Sequence, residues 1–210
     1  MPNRHDIAVA ATDLIHAKEI ILTFGYSYTA EEFFLCAARS LTTDFQVIVV
    51  EAAPLHDGIR LAAKLAAAGI ETTVIDDSAV YALMSRVNKV IIGAHSVMAD
   101  GGIMAASGTY SVAQAAHHFS IPIIVCAAIY KLTPRYPTCD TDELNVLVSP
   151  SDSLPYAGVL DSVKVYTPAD DYVPPKLIEL LITNYGGYAP SYIYRLLREY
   201  YHPDDIQDYE

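Results

Sequence analysis

Residues 91–109 read Ile91-Ile92-Gly93-Ala94-His95-Ser96-Val97-Met98-Ala99-Asp100-Gly101-Gly102-Ile103-Met104-Ala105-Ala106-Ser107-Gly108-Thr109, and the order in which this stretch changes character decides the fold. Val90 to Ile92 is apolar and β-branched, the composition of a strand covered on both faces. Gly93 breaks the run, a loop passes through Gly101-Gly102, and a helix opens just after Gly108-Thr109. Strand, small-residue loop and helix N-terminus in succession make a pocket whose amides suit an anion. The stretch lacks the reactive groups such a pocket would use. His95 holds the strand-end position, and Ala105-Ala106 precede Ser107-Gly108-Thr109.

Outward from this stretch, five short apolar runs read as buried strands: Glu19–Phe24, Gln46–Glu51, Glu71–Ile75, Lys89–Gly93 and Ile121–Ala127. Helical stretches separate them. Thr29 and Glu32 have the spacing of a capping box, with Phe33, Phe34 and Ala37 behind it facing the sheet. A helix from Asp57 to Ala68 closes on Gly69. Ser78 can cap the next, which carries Val80, Leu83, Met84 and Val87 on one stripe, with Asp76-Asp77 supporting its N-terminus. A fourth helix follows Gly108 through Val112, Ala113 and Ala116. This alternation predicts an α/β, Rossmann-like, doubly wound and mostly parallel sheet with helices on both faces.

After Ala128 the chain changes character: residues 129–175 hold seven of the twelve prolines. This reads as a long irregular excursion with one strand at Val163–Tyr166, of the kind that serves function or an interface. A helix is expected from Pro174 through Leu177, Leu180 and Ile182 to Gly186-Gly187, and a last one from Pro190-Ser191 through Tyr200. Residues 1–17 read as the end of a connecting helix from an absent N-terminal helical domain, and residues 18–210 as the Rossmann-like domain.

Composition narrows the function. The 210 residues are 52% hydrophobic with a net charge of −12, which fits a packed core and argues against nucleic acid as direct ligand. No apolar run approaches the roughly 20 residues of a membrane span. Cys36, Cys126 and Cys139 make no Cys-x-x-Cys, and adjacent His117 and His118 point apart on a helix, so no metal or cofactor is expected. The spacing of Gly101, Gly102 and Gly108 is neither a dinucleotide fingerprint nor a P-loop, and reads first as a tight turn. His95 has no fixed acidic partner in the nearby sequence, so it reads first as a packing or hydrogen-bonding residue and second as a general base. Among the sixteen tyrosines a C-terminal cluster stands out. Tyr185, Tyr188, Tyr192 and Tyr194 are the candidate interface, because a tyrosine offers an apolar body with a polar tip. The five acids of the last twelve residues read as a solvated tail.

Five strings carry a resemblance: Gly69-Ile70-Glu71-Thr72-Thr73-Val74, Met84 to Gly93, Asp171-Tyr172-Val173-Pro174-Pro175, Ala189-Pro190-Ser191-Tyr192-Ile193-Tyr194-Arg195 and Tyr201-His202-Pro203-Asp204-Asp205. From about Leu14 onward the chain resembles the beta branch of the eukaryotic translation initiation factor 2B family, whose alpha, beta and delta members are similar in fold to methylthioribose-1-phosphate isomerases. Carried over by position, the isomerases' catalytic Asp falls on His95 and their phosphate-binding Asn-Lys on Ala105-Ala106. Gly93, Ala94, Gly108 and Thr109 match the pattern, and the isomerases' catalytic Cys lies upstream of this segment. The resemblance therefore implies a vestigial ligand pocket at Gly93, His95, Gly108 and Thr109. It implies a non-catalytic regulatory subunit of the guanine-nucleotide exchange factor for initiation factor 2, in the cytoplasm, helping to sense that factor's phosphorylation. Implied partners are the delta, gamma, epsilon and alpha subunits and initiation factor 2, with a homodimer for the isolated fragment. The alternative is an active sugar-phosphate aldose–ketose isomerase, which would need an acid and a cation in the pocket. A third reading is a regulatory metabolite site on the helix amides near Gly108.

Overall fold

The structure, a computed structural model, describes residues 7, 11–40, 44–137, 145–149, 151 and 164–202. Strands β1 (Ile20–Phe24), β2 (Gln46–Val50), β3 (Glu71–Ile75), β4 (Lys89–Gly93) and β7 (Ile123–Cys126) pair in parallel in the order β3-β2-β1-β4-β7. All are rich in β-branched residues and all but β3 are mostly apolar; β3, expected as a buried strand, is the edge strand, and its Glu71-Thr72-Thr73-Val74 stretch is largely exposed. The sheet order reverses between β1 and β4. Helices α2 (Tyr28–Ser40) and α3 (Gly58–Ala67) cover one face with Phe33, Phe34, Ala37, Leu61 and Leu65, all fully buried. Helices α4 (Val80–Met84), α5 (Thr109–His118) and α6 (Ile193–Tyr200) cover the other through Met84, Val112, Ala116 and Leu196. The short helix α1 (Ala11–Leu14) joins the first face, where the ammonium of Lys89 donates to the carbonyl of Leu14 and pairs with Glu19 at 2.9 Å.

The expected doubly wound sheet is present, with differences at its margins. The segment read as a helix from Pro174 is a single 3₁₀ turn, Pro175–Leu177, followed by β9 (Leu180–Thr183). β9 pairs in parallel with β7 and turns back antiparallel as β10 (Gly186–Tyr188), making seven strands. A short apolar run flanked by proline and glycine fits helix or strand equally, and the open edge of β7 takes it as strand.

The loop expected between Gly93 and Gly108 is part of a second sheet. β5 (Ser96–Val97) and β6 (Ile103–Ala106) form a hairpin around Gly101, and β8 (Asp170–Val173) pairs antiparallel with β6. β8 lies beyond the strand expected at Val163–Tyr166; Lys164 to Tyr166 are not in a strand, and Val163 lies outside the described residues. Gly101 does occupy a tight turn, with φ +86°.

Capping also differs. Ser27, not Thr29, precedes α2, its hydroxyl accepting from the Ala30 amide at 3.4 Å, while Glu31 bonds Tyr26 and Lys64. Asp77 lies in the first turn of the short 3₁₀ segment, Asp77–Ala79, that leads into α4. Its carboxylate accepts the amides of Ala52 and Ala53, at 3.0 and 2.8 Å, and so ties β3's end to β2's. Gly69 closes α3 as expected, with φ +85°. Cys126 is fully buried, which pushes its thiol up to about 12. Cys139 and the acidic tail beyond His202 lie outside the described residues.

Candidate functional site

The carboxyl ends of β1, β2 and β4 open into a cavity of about 540 Å³, where a doubly wound sheet reverses its order. Gly93, His95 and Thr109 line it. Gly93 lies where a side chain would collide with the Ser27 hydroxyl, 2.1 Å from the Cβ it would add, so glycine lets β1's loop close over β4. Gly108 stands behind the cavity at the start of α5, against the ring of Phe24. Thr109 is buried and spends its hydroxyl on the Ala106 carbonyl at 2.6 Å.

The helix amides at Gly108 are already engaged. One oxygen of Asp171 accepts the amides of Gly108 and Tyr110, at 2.8 and 3.0 Å, and the other accepts from the Ser107 hydroxyl at 3.5 Å. This carboxylate arrives from β8, 63 residues later than Gly108. It supplies the negative charge that the helix dipole favours, leaving those two amides no bond for an outside anion.

His95 has the acidic partner that its nearby sequence lacks. Its Nδ1 pairs with a carboxylate oxygen of Asp170, the neighbour of Asp171 on β8. The Asp170 hydrogen bond raises the imidazole's pKa above its ordinary value, against the opposing effects of burial and of Lys131. Asp170 is itself fixed by Asn145, which exchanges two hydrogen bonds with its backbone, at 2.6 and 3.1 Å. Two further ionisable groups line the cavity and escaped the sequence reading: Lys131, whose ammonium donates to the Ala94 carbonyl at 2.5 Å, and Asp57, at the start of α3. Burial pushes the Asp57 carboxyl upward, against the backbone amides and Arg60 that hold it down. Local sequence gave no sign that Asp170, Asp171 or Lys131 converge here, since each is brought in by long-range pairing. Only the Asp171-Tyr172-Val173-Pro174-Pro175 string drew notice to that region.

The cavity therefore holds an imidazole, three carboxyl groups in or beside it and one ammonium, and the geometry commits most of them to internal bonds. Among the described residues no cluster of His, Cys, Asp and Glu could hold a metal ion, and no helix is long and apolar enough to cross a membrane.

The four candidate interface tyrosines lie elsewhere, on the β9–β10 hairpin and at the start of α6. Tyr185, Tyr192 and Tyr194 are 62%, 36% and 48% exposed. Tyr188 stacks on Tyr192 with ring centres 5.4 Å apart, and Tyr185 leans on Tyr200 at 5.9 Å. The Arg198 guanidinium lies over Tyr194, 4.5 Å from its centre. Ile193, Leu196 and Leu197 anchor the same helix in the core, so these rings stand on a fixed base at the edge of the main sheet.

Comparison with known proteins places this architecture. Over 207 residues, 98% of the chain, it is 51% identical to translation initiation factor eIF2B subunit beta of Dictyostelium discoideum. It is 44% identical to the Schizosaccharomyces pombe beta subunit over 95% of its length, and 32% identical to the Dictyostelium delta subunit over 89%. The chain spans about half the length of the beta relatives, 53% and 51%. The crystal structure of eIF2B beta from Chaetomium thermophilum matches with a TM-score of 0.78 at 29% identity, over 97% of this chain and 55% of that one. The tetrameric eIF2B beta2-delta2 complex from the same organism matches at 0.75 and 29%, over 95% and 60%. Residues 1–190 match the model of the initiation factor 2 subunit family, and the chain belongs to that family.

Proposed function

We propose that this chain is the core of a beta-type regulatory subunit of the guanine-nucleotide exchange factor for translation initiation factor 2, acting in the cytoplasm without chemistry of its own. The single observation that carries the reading is the gap between 51% identity to a beta subunit and 32% to the delta and alpha subunits of the same organism. The pocket supports it. Ala105 and Ala106 offer no charge, Asp171 occupies the helix amides, and His95 is tied to Asp170. A sugar phosphate would find neither a counter-charge at the alanine pair nor an uncommitted base. Gly93, His95, Gly108 and Thr109 are then the remains of a ligand pocket.

Pairing is with the delta subunit, and through it with the alpha, gamma and epsilon subunits and initiation factor 2. The tyrosine face, beside the edge strand β10, is the docking surface. Its exposed rings on a rigid helix are the kind of anchor that dominates interface energy. Sedimentation of the chain alone and mixed with the equivalent domain of a delta subunit tests this. A one-to-one complex is expected. Replacing Tyr185 and Tyr194 together with alanine should weaken it by about 2 kcal/mol or more while leaving the isolated chain folded. A chain that ignores delta, or a double variant that pairs as well as the parent, overturns the assignment of partner or surface. Turnover of methylthioribose 1-phosphate would overturn the non-catalytic reading.

A further inference from the structure

Three hydroxyl residues in the chain are followed by proline: Thr133-Pro134, Ser149-Pro150 and Thr167-Pro168. Such a proline presents no amide and biases the residue before it toward extended backbone. These are the features by which proline-directed protein kinases choose an acceptor. The sequence offers all three motifs alike, and the fold does not.

Thr133 is half-buried and held on both sides. Its amide donates to the Val97 carbonyl at 2.9 Å, its hydroxyl accepts the Arg135 amide at 3.4 Å, and Pro134 is buried. A kinase would have to unpack the turn to reach that proline. Thr167 is also half-buried and lies inside a pairing, where its carbonyl accepts the Val148 amide at 2.9 Å and Pro168 bridges to Leu147.

Ser149 differs from both. Residues 145–148 run antiparallel to residues 167–170, through Leu147 on Pro168, the Ala169 amide on the Val146 carbonyl at 2.8 Å, and the two bonds between Asn145 and Asp170. Ser149 is the first residue past these bonds, and its side chain is exposed. Its hydroxyl bonds are local: it donates to the Ser151 hydroxyl at 3.0 Å and accepts the Ser151 amide at 3.3 Å. A turn about its own side-chain bond releases both. Few backbone bonds hold the segment before it, and its Val146, Leu147 and Val148 are themselves exposed, so it lifts away at low cost.

We infer that Ser149 is the acceptor of a proline-directed protein kinase, which sets the charge at the rim of the cavity. The Ser149 oxygen attacks the γ-phosphorus of ATP and an O–P bond forms. The bond from that phosphorus to the β–γ bridging oxygen breaks, ADP leaves, and the hydroxyl proton passes to a carboxylate of the kinase. The phosphoserine carries a charge of about −1.5 to −2 at pH 7. It joins a lining that holds both signs, the Lys131 ammonium and the His95 imidazole with the Asp57 carboxyl, and shifts their balance from an exposed position. The inference goes beyond the subunit reading and does not depend on it, since the acceptor is mapped on the chain alone.

Incubation of the chain with magnesium, ATP and a mitogen-activated protein kinase, followed by peptide mapping in the mass spectrometer, tests it. One phosphoryl group per chain is expected, at Ser149, added about tenfold or more faster than at Thr133 or Thr167, whose exposure requires local opening. Ser149→Ala should abolish the reaction. Pro150→Ala keeps the acceptor and should remove the preference for it. Synthetic peptides carrying the three motifs, freed from the fold, should differ far less than the three sites of the chain do. The inference falls if Ser149 stays unmodified in the chain, if Thr133 or Thr167 reacts as fast, or if the peptides show the preference of the chain. It falls too if an acidophilic kinase, drawn by Asp152 three residues on, modifies Ser149 and the proline-directed enzyme does not.

Discussion

In the cavity the polar groups are bonded to the chain itself, whereas on the tyrosine face the rings stand largely in solvent. Asp171 closes the amides of α5, Asp170 holds His95 and Lys131 holds the Ala94 carbonyl. On the hairpin and α6, Tyr185, Tyr194 and Tyr200 are each about half exposed or more, at 62%, 48% and 49%. Both regions contain charged and aromatic side chains, so composition does not separate them. What separates them is how much of their side chains is left in solvent. Groups that could do chemistry have been turned inward to hold a small sheet against a large one, and the surface left for others is one of packing.

Gly101 joins the two regions, and replacing it should have the largest effect. It turns the β5–β6 hairpin at φ +86°, and a Cβ there would lie 2.3 Å from the carbonyl oxygen of Pro190, which opens the turn before α6. The obstacle is backbone, so it cannot rotate away. Gly101→Ala should destabilise the chain by about 3 kcal/mol in urea unfolding, from the left-handed conformation and the collision together. It should also weaken delta pairing, because the tyrosine helix is displaced at its start. A variant that loses less than about 1 kcal/mol would show the two regions to be independent.

Asp171→Ala acts on the cavity alone. Two amides lose a charged acceptor at the N-terminus of a ten-residue helix, at a cost of about 2 kcal/mol. Because one oxygen receives both amides, Asp171→Asn keeps the acceptor and loses only the charge against the helix dipole, about 0.5 kcal/mol. Delta pairing by sedimentation should be unchanged in either variant. If it fails in Asp171→Asn while stability holds, the cavity and the tyrosine face are coupled, and the contrast between them is not a division of labour.

How far the sequence foretold this structure follows the same divide. The five parallel strands and the helices of the doubly wound sheet were legible because each rests on local pattern: an apolar run, a periodic stripe, a glycine stop. β9 was misread because Leu180-Leu181-Ile182 has no period of its own, and only the vacant edge of β7 makes it a strand. The hairpin at Gly101 looked like a loop because its third strand, β8, comes from beyond a proline-rich excursion. The pocket's glycines, His95 and Thr109 were visible in one continuous stretch. Asp57, Lys131, Asp170 and Asp171 were not, since pairing across the small sheet and the β-ends brings them there. His95 was legible as a hydrogen-bonding residue, but its partner was not, since long-range pairing brings Asp170 to it.

His95 offers the smallest effect and the sharpest sign. Its pKa is raised chiefly by the Asp170 hydrogen bond, with a smaller push from Asp57 and opposition from burial and Lys131. A histidine whose folded pKa exceeds its unfolded value stabilises the fold fully below about pH 6.5, and that contribution is lost as pH rises through the folded pKa. The parent should therefore be more stable than His95→Gln at pH 6, and the difference should shrink at pH 9. Because the side chain is 63% exposed, solvent screens the pair and the difference at pH 6 should stay below about 1 kcal/mol. Thermal unfolding of both proteins at the two pH values measures it. A gap that widens with pH would mean the imidazole is favoured neutral, as a proton acceptor would be, and the cavity would regain its claim to chemistry. A gap that closes leaves His95 as a tether between β4 and β8, its proton held by Asp170 and its catalytic potential spent on the fold.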